Sequence, residues 1–224
     1  MRNTQPKQIA IIPDGNRRWS AERGVGLEET YLAGAAKMLK MCEWLLDANM
    51  GLQELSLFFV SVDNLRYRQQ RELDPLFNAG HDFLDKFYAM AAFSSIELRW
   101  VGLHKHEFAI DSLLYGGFVA RLSELTPNRP SDRKVNVLFG YDVRRDIDAA
   151  MLDQDTFEYE NLTVNRPIDL IVRSGGYRRL SGFLPLMSQY AEFEFVDKLF
   201  PDVTIDDVSG CIQRFRAIKR KFGS

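Results

Sequence analysis

Cysteine is scarce in this chain: Cys42 and Cys211 are the only two in 224 residues. They show no metal-ligand spacing, so buried free thiols of a reducing compartment are expected. His81, His104 and His106 are the only histidines, and they show no ligand pattern either. An excess of one charge is also missing. The 29 Lys+Arg and 31 Asp+Glu leave a net charge of −2, so nucleic acid is not an expected partner. No apolar run approaches the ~20 residues of a membrane span. The stretch from Met1 to Lys7 is polar and lacks a signal-peptide core, so no transmembrane segment and a cytoplasmic location are expected. There is no GxGxxG fingerprint, Walker loop or nucleophile elbow, which weighs against hydride transfer, nucleotide hydrolysis and serine hydrolysis.

What remains is a chain able to bury a full core, read as one domain over 1–224. Strands are predicted at 8–12, 55–60, 96–101, 134–139 and 169–172, with a short sixth at 193–195. Helices are predicted at 28–48, 74–90, 108–125, 144–152 and 205–221. In the first of these, Met38, Cys42, Leu45 and Leu46 share one face while Lys37, Lys40, Glu43 and Asp47 fall elsewhere. Alternating strands and helices predict an α/β fold with a mostly parallel sheet. Ligands bind beyond the carboxyl ends of such strands, so Asp14, Ser61 to Asn64, Tyr141 and Arg173 should converge on one edge.

Two clusters stand out. Ile9-Ala10-Ile11-Ile12 empties into Pro13-Asp14-Gly15-Asn16-Arg17-Arg18-Trp19, read as a tight charged loop. A lone carboxylate after a strand can simply cap a turn. It can also hold Mg²⁺ that bridges diphosphate oxygens. Gly15 permits close backbone approach, and Arg17 and Arg18 can fork onto phosphate. The second cluster, Arg173-Ser174-Gly175-Gly176-Tyr177-Arg178-Arg179-Leu180-Ser181, suits another anion. Ser61-Val62-Asp63-Asn64 is either a polar turn or a hydroxyl–amide pair beside a reacting carbon. Glu192 is either an arginine's structural partner or a second metal ligand. The aromatic content fits an apolar cavity and an ordinary core equally well.

These motifs resemble the cis-prenyltransferases: Asp-Gly-Asn-x-Arg-Trp, Arg-x-Gly-Gly-x-x-Arg-x-Ser, Tyr-Ala-Glu-Phe and a final Arg/Lys-x-Phe-Gly occur in order, nearly end to end. The resemblance implies a six-stranded, mostly parallel sheet surrounded by helices, an apolar substrate cavity and a homodimer. It implies that Asp14 and Glu192 bind Mg²⁺, and that Asn16 and Arg18 lie around an allylic diphosphate. It places Arg173, Arg179 and Ser181 on a second diphosphate and Ser61 and Asn64 beside the reacting carbons. Gly223, in Lys221-Phe222-Gly223, would belong to a tail that reaches a neighbouring subunit's site.

The departures are specific. Thr30-Tyr31 replaces a usual Gly-His, and Leu27 a usual arginine. Asp63-Asn64-Leu65 replaces Glu-Asn-Trp, and Gly140-Tyr141-Asp142-Val143 replaces Asn-Tyr-Gly-Gly. Pro13 and Arg17 stand for a methionine and a glycine. The first cluster and Phe183-Leu184-Pro185-Leu186-Met187-Ser188 are similar to a branch that makes irregular, lavandulyl-type diphosphates. The implied activity is head-to-middle condensation of dimethylallyl diphosphate with a C5 or C10 allylic donor. Regular elongation with isopentenyl diphosphate and a non-catalytic subunit are the alternatives.

Overall fold

The computed structural model describes residues 5–90, 95–102, 116–118, 120–121, 131–152 and 156–220. Six strands form one sheet: β1 (Gln8–Ile12), β2 (Glu54–Ser61), β3 (Glu97–Val101), β4 (Lys134–Tyr141), β5 (Leu170–Ser174) and β6 (Glu192–Val196). Their spatial order is β3-β4-β2-β1-β5-β6, and every pairing is parallel. β1 and β5 carry unbroken apolar stretches, Ile9–Ile12 and Leu170–Val172, because both faces of a parallel sheet are covered. Alternate side chains feed two cores. Ile9, Ile11, Leu55, Leu57, Val135 and Val137 point into one core, together with Met38, Cys42, Phe83 and Phe215. Ala10, Ile12, Leu138 and Ile171 point into the other, with Leu162, Phe183 and Met187.

The larger core lies under α2 (Leu27–Leu45), α4 (Gln70–Ala89) and α6 (Ile205–Ala217), while α5 (Val143–Ala150) follows β4. The predicted helix at 28–48 stops at Leu45, and the one at 74–90 begins earlier, at Gln70. That early start is secured by a capping box in which Gln69 and Glu72 bond each other's backbone N–H groups. The predicted helix over 108–125 falls mostly outside the described residues, of which 116–118 and 120–121 are helical.

Two short helices correct the sequence reading. The charged segment after β1 is a loop only as far as Gly15, and from there it is α1 (Asn16–Arg23). Periodicity cannot find this helix, because Asn-Arg-Arg-Trp-Ser-Ala-Glu-Arg carries no apolar stripe. Tertiary anchors hold it instead: Trp19 Nε1 donates to Asp202 Oδ1 at 2.9 Å, and Arg23 pairs with Asp202 Oδ2 at 2.8 Å. The segment read as a polar turn or reacting pair is α3 (Val62–Tyr67), with Ser61 as its N-cap.

Candidate functional site

β1 lies between β2 and β5, so the segments that leave these three strands meet at one edge of the sheet. Ile12 is in register with Arg173, which puts Asp14 beside the end of β5. This is where strand order reverses and a crevice opens. Gly15 makes the turn into α1 with φ 109°, in the left-handed region that glycine tolerates. A Cβ there would also sit 2.8 Å from Leu199 Cδ2. The first intrahelical bond runs from Trp19 N–H to Gly15 C=O. The N–H groups of Asn16, Arg17 and Arg18 therefore lie at the positive end of α1, where anions are favoured.

Asp14 is the acid at the centre of this edge. Arg173 Nη2 donates to its Oδ2 at 2.7 Å, and Arg18 Nη2 lies 3.4 Å from its Oδ1. Arg18 also donates to the Gly175 carbonyl at 2.7 Å. The Asp14 carbonyl accepts from Ser174 Oγ at 2.9 Å and from Phe200 N–H at 3.0 Å. Gly175 cannot be replaced freely: φ is 84°, and a Cβ would lie 2.8 Å from both Arg18 Nη2 and the Asp14 carbonyl oxygen. The two clusters recognised in the sequence are thus parts of one interlocked structure.

Arg173 is only 4% exposed. Its Nη1 donates to Ser181 Oγ at 3.0 Å and to the Arg179 carbonyl. Ser181 adopts φ 54°, a strained value for a residue other than glycine, which turns its hydroxyl onto that guanidinium. Tyr177 forms an aromatic plate among the cations: Arg179 lies 4.2 Å from its centroid and Arg18 4.8 Å.

A cavity of about 390 Å³ opens from this edge. Asp14, Gly15, Asn16, Arg17, Arg18 and Tyr177 line its polar end. Its apolar depth is walled by Phe59, Phe83, Phe139 and Leu76. Small residues keep part of the wall low: Gly34 and Ala35 on α2, and Ala79 and Gly80 on α4, all line the cavity. Asn16 donates to the Pro13 carbonyl at 3.1 Å, while its Oδ1 is buried without a partner.

The predicted residues do not all join the site. Arg17 lines the cavity, but its guanidinium is tethered to Glu72 at 2.9 Å, and that bond holds the Glu72 carboxyl below its usual range. Neither Ser61 nor Asn64 lines the cavity. Ser61 Oγ accepts the Asn64 N–H at 3.1 Å as a helix cap, and Asn64 Oδ1 accepts from Arg68 Nη2 at 3.1 Å. Glu192 begins β6 opposite Leu170, whereas Asp14 follows Ile12, which lies opposite Arg173. Three strand residues separate those levels, roughly 10 Å at 3.3 Å per residue, so Glu192 and Asp14 of one chain sit at opposite ends of the sheet. Gly223 lies outside the described residues.

Arg68 and Tyr177 line the cavity although sequence reading gave neither a role of its own. Arg68 follows Arg66 and Tyr67, and nothing in that local sequence sets it apart from its neighbours. Only tertiary packing turns it inward.

A metal fits here in one way. Among the described residues there is no group of three His, Cys, Asp or Glu side chains. Asp14 and the orphaned Asn16 Oδ1 cannot enclose a cation by themselves. Such an oxygen set suits Mg²⁺, which keeps water and substrate phosphates in most of its positions.

The comparisons agree with this architecture. The family model described as "Putative undecaprenyl diphosphate synthase" matches residues 12–223. The tritrans,polycis-undecaprenyl-diphosphate synthase (geranylgeranyl-diphosphate specific) of Aeropyrum pernix is 31% identical, over 98% of this chain and 99% of its own length. An isoprenyl transferase of Aquifex aeolicus is 28% identical, over 97% of this chain and 96% of its own. The crystal structure of lavandulyl diphosphate synthase from Lavandula x intermedia in complex with dimethylallyl diphosphate superimposes with a TM-score of 0.81 at 23% identity, covering 98% of this chain and 99% of that one. Among the described residues no helix is long and apolar enough to cross a membrane. With two anion-ready clusters locked around one aspartate at the mouth of an apolar cavity, and these matches spanning nearly its whole length, the chain belongs to the cis-prenyltransferase (undecaprenyl diphosphate synthase-like) family of prenyl diphosphate synthases.

Proposed function

We propose that the chain condenses two short allylic diphosphates, dimethylallyl diphosphate as acceptor and a C5 or C10 donor, by head-to-middle bond formation. The observation that carries this reading is the placement of Asp14 between the α1 N-terminus and the Arg173 guanidinium, at the mouth of a cavity of about 390 Å³. Such a volume is at the small end of ligand pockets, about 300–1,000 Å³, and suits a short prenyl chain better than a long growing one.

In this reading Asp14, with Asn16 beside it, would hold Mg²⁺, which when bound supplies charge neutralisation for the donor diphosphate. Arg18 and the N–H groups opening α1 bind that diphosphate and orient the donor. Arg173, Arg179 and Ser181 hold the acceptor's diphosphate. The donor C–O bond breaks with its electron pair passing to diphosphate oxygen, leaving an allylic cation. The acceptor's double bond attacks the cationic carbon, a C–C bond forms, and a cation is left on the acceptor. A proton then leaves the acceptor carbon skeleton. Ser61 and Asn64 are occupied elsewhere, so the departed diphosphate is the base within reach. The aromatic walls exclude water that would quench the cation.

Regular elongation with isopentenyl diphosphate is the second reading, supported by the names of the curated relatives. Incubating the purified chain with Mg²⁺ and pairs of dimethylallyl, isopentenyl and geranyl diphosphate, then identifying dephosphorylated products by mass spectrometry and NMR, separates the two. A branched skeleton from allylic substrates alone supports the proposal, and a linear Z-chain that requires isopentenyl diphosphate overturns it. A homodimer is also proposed, with light scattering as its test.

A further inference from the structure

Gly175 and Gly176 take φ 84° and 79°, two left-handed residues in succession. Glycine alone adopts such a pair without strain, and it turns the next side chain, Tyr177, back toward Arg18 and Arg173. Their guanidinium carbons lie 4.8 Å and 6.0 Å from the Tyr177 ring centroid. Arg179 comes closer still, at 4.2 Å, while Arg178 lies over the Phe195 ring instead. The face of an aromatic ring is electron-rich, so one ring can gather cations that would otherwise repel.

The three cations differ in what else holds them. Arg18 is bonded to the Gly175 carbonyl and to Asp14. Arg173 is buried and bonded to Asp14 and Ser181. Arg179 is exposed, and among the described residues its guanidinium has neither a hydrogen bond nor an ion pair, so its contact is the Tyr177 ring. A long side chain gives up rotamer freedom only where a contact offsets the loss, and here that contact is the ring. Tyr177 is also a boundary. It lines the cavity together with Arg18, whereas Arg179 does not line it. Arg18, which serves the donor diphosphate, and Arg179, which serves the acceptor's, therefore meet the same ring.

We propose that Tyr177 is the positioning residue of the acceptor seat: its ring holds Arg179 at the edge of the cavity mouth and parts that seat from the donor's. The inference rests on the two-diphosphate reading above and adds to it the group that sets the acceptor guanidinium in place. Its consequence is asymmetric. Without the ring, Arg179 is released into water and the acceptor's diphosphate loses a partner. Arg18 keeps its carbonyl and its carboxylate, so the donor seat stays formed.

The test titrates the full chain with inorganic pyrophosphate in the presence of Mg²⁺, followed by calorimetry. The parent is expected to bind two pyrophosphates. Tyr177→Leu is expected to weaken one of them about 3- to 10-fold, the range for a cation–π contact at a partly exposed ring, and the other by less than about twofold. Tyr177→Phe keeps the ring face and should bind both like the parent. Arg179→Ala should weaken the same site, and Tyr177→Leu should add little in that background, a non-additivity that a space-filling role would not produce. Circular dichroism checks that each variant is folded. Should Tyr177→Leu fail to fold, Tyr177→Gln, equally without a ring, takes its place. If both sites weaken alike, if neither changes, or if the two substitutions add in full, the inference is overturned while the two-diphosphate reading stands. If the parent binds fewer than two pyrophosphates, that reading fails and takes the inference with it.

Discussion

Replacing Asp14 by asparagine keeps its shape and removes the one negative charge set among Arg18, Arg173 and the α1 N-terminus. Arg173, 4% exposed, would keep its bonds to Ser181 and the Arg179 carbonyl but lose its carboxylate partner. Opposite charges about 4 Å apart interact by about 4 kcal/mol at an effective dielectric near 20. The Asp14 side chain is 28% exposed, however, so water screens the pair. The expected net loss is about 1–2 kcal/mol. At 2–4 °C per kcal/mol for a domain of this size, the melting temperature should fall by roughly 2–8 °C. Inorganic pyrophosphate should recover stability, because an anion again faces the cations, by about 2.7 kcal/mol at a hundredfold excess over Kd. Turnover should fall by at least about 10²-fold. Urea unfolding with and without pyrophosphate, together with a product assay, tests all three expectations. A folded Asp14→Asn chain as stable as the parent, with near-normal turnover, would refute the argument.

Other perturbations probe separate parts of the molecule. Gly80→Val should push into Phe118, whose Cε2 lies 2.7 Å from the position of an added Cβ. Overpacking should cost about 1–3 kcal/mol, and competition between geranyl and dimethylallyl donors should shift toward the shorter; an unchanged product ratio would mean that α4 does not bound the cavity. Burial raises the Cys42 thiol and lifts Cys211 to about 11, so neither should react with a disulfide reagent at pH 8 until urea exposes both. The Arg144 guanidinium beside Asp142 holds its carboxyl below the usual range. The stability linked to it is complete above the unfolded value of about 3.9 and is lost as pH falls through the lower folded value. Asp142→Asn, which can still cap α5, should flatten the acid limb of a stability–pH curve, and an unaltered limb would show that the pair contributes nothing.

The strands were legible because each carries its own signal. Ile9 to Ile12, Leu57 to Val60 and Val137 to Phe139 are short apolar runs, as expected of strands buried on both faces of a parallel sheet. Asp14 and Arg173 were legible for a related reason, since dense charge just past a buried strand is costly unless something uses it. Sequence alone determined the chemistry available at those two strand ends and the α/β alternation that brings strand ends to one edge. Only the tertiary structure decided which groups face one another. It converted the charged loop into the N-terminus of α1, because Asp202 anchors a helix that has no apolar stripe. It turned Arg68 inward from an unremarkable stretch, and it set Glu192 at the far end of the sheet, since strand register is a relation between segments that neither segment encodes by itself.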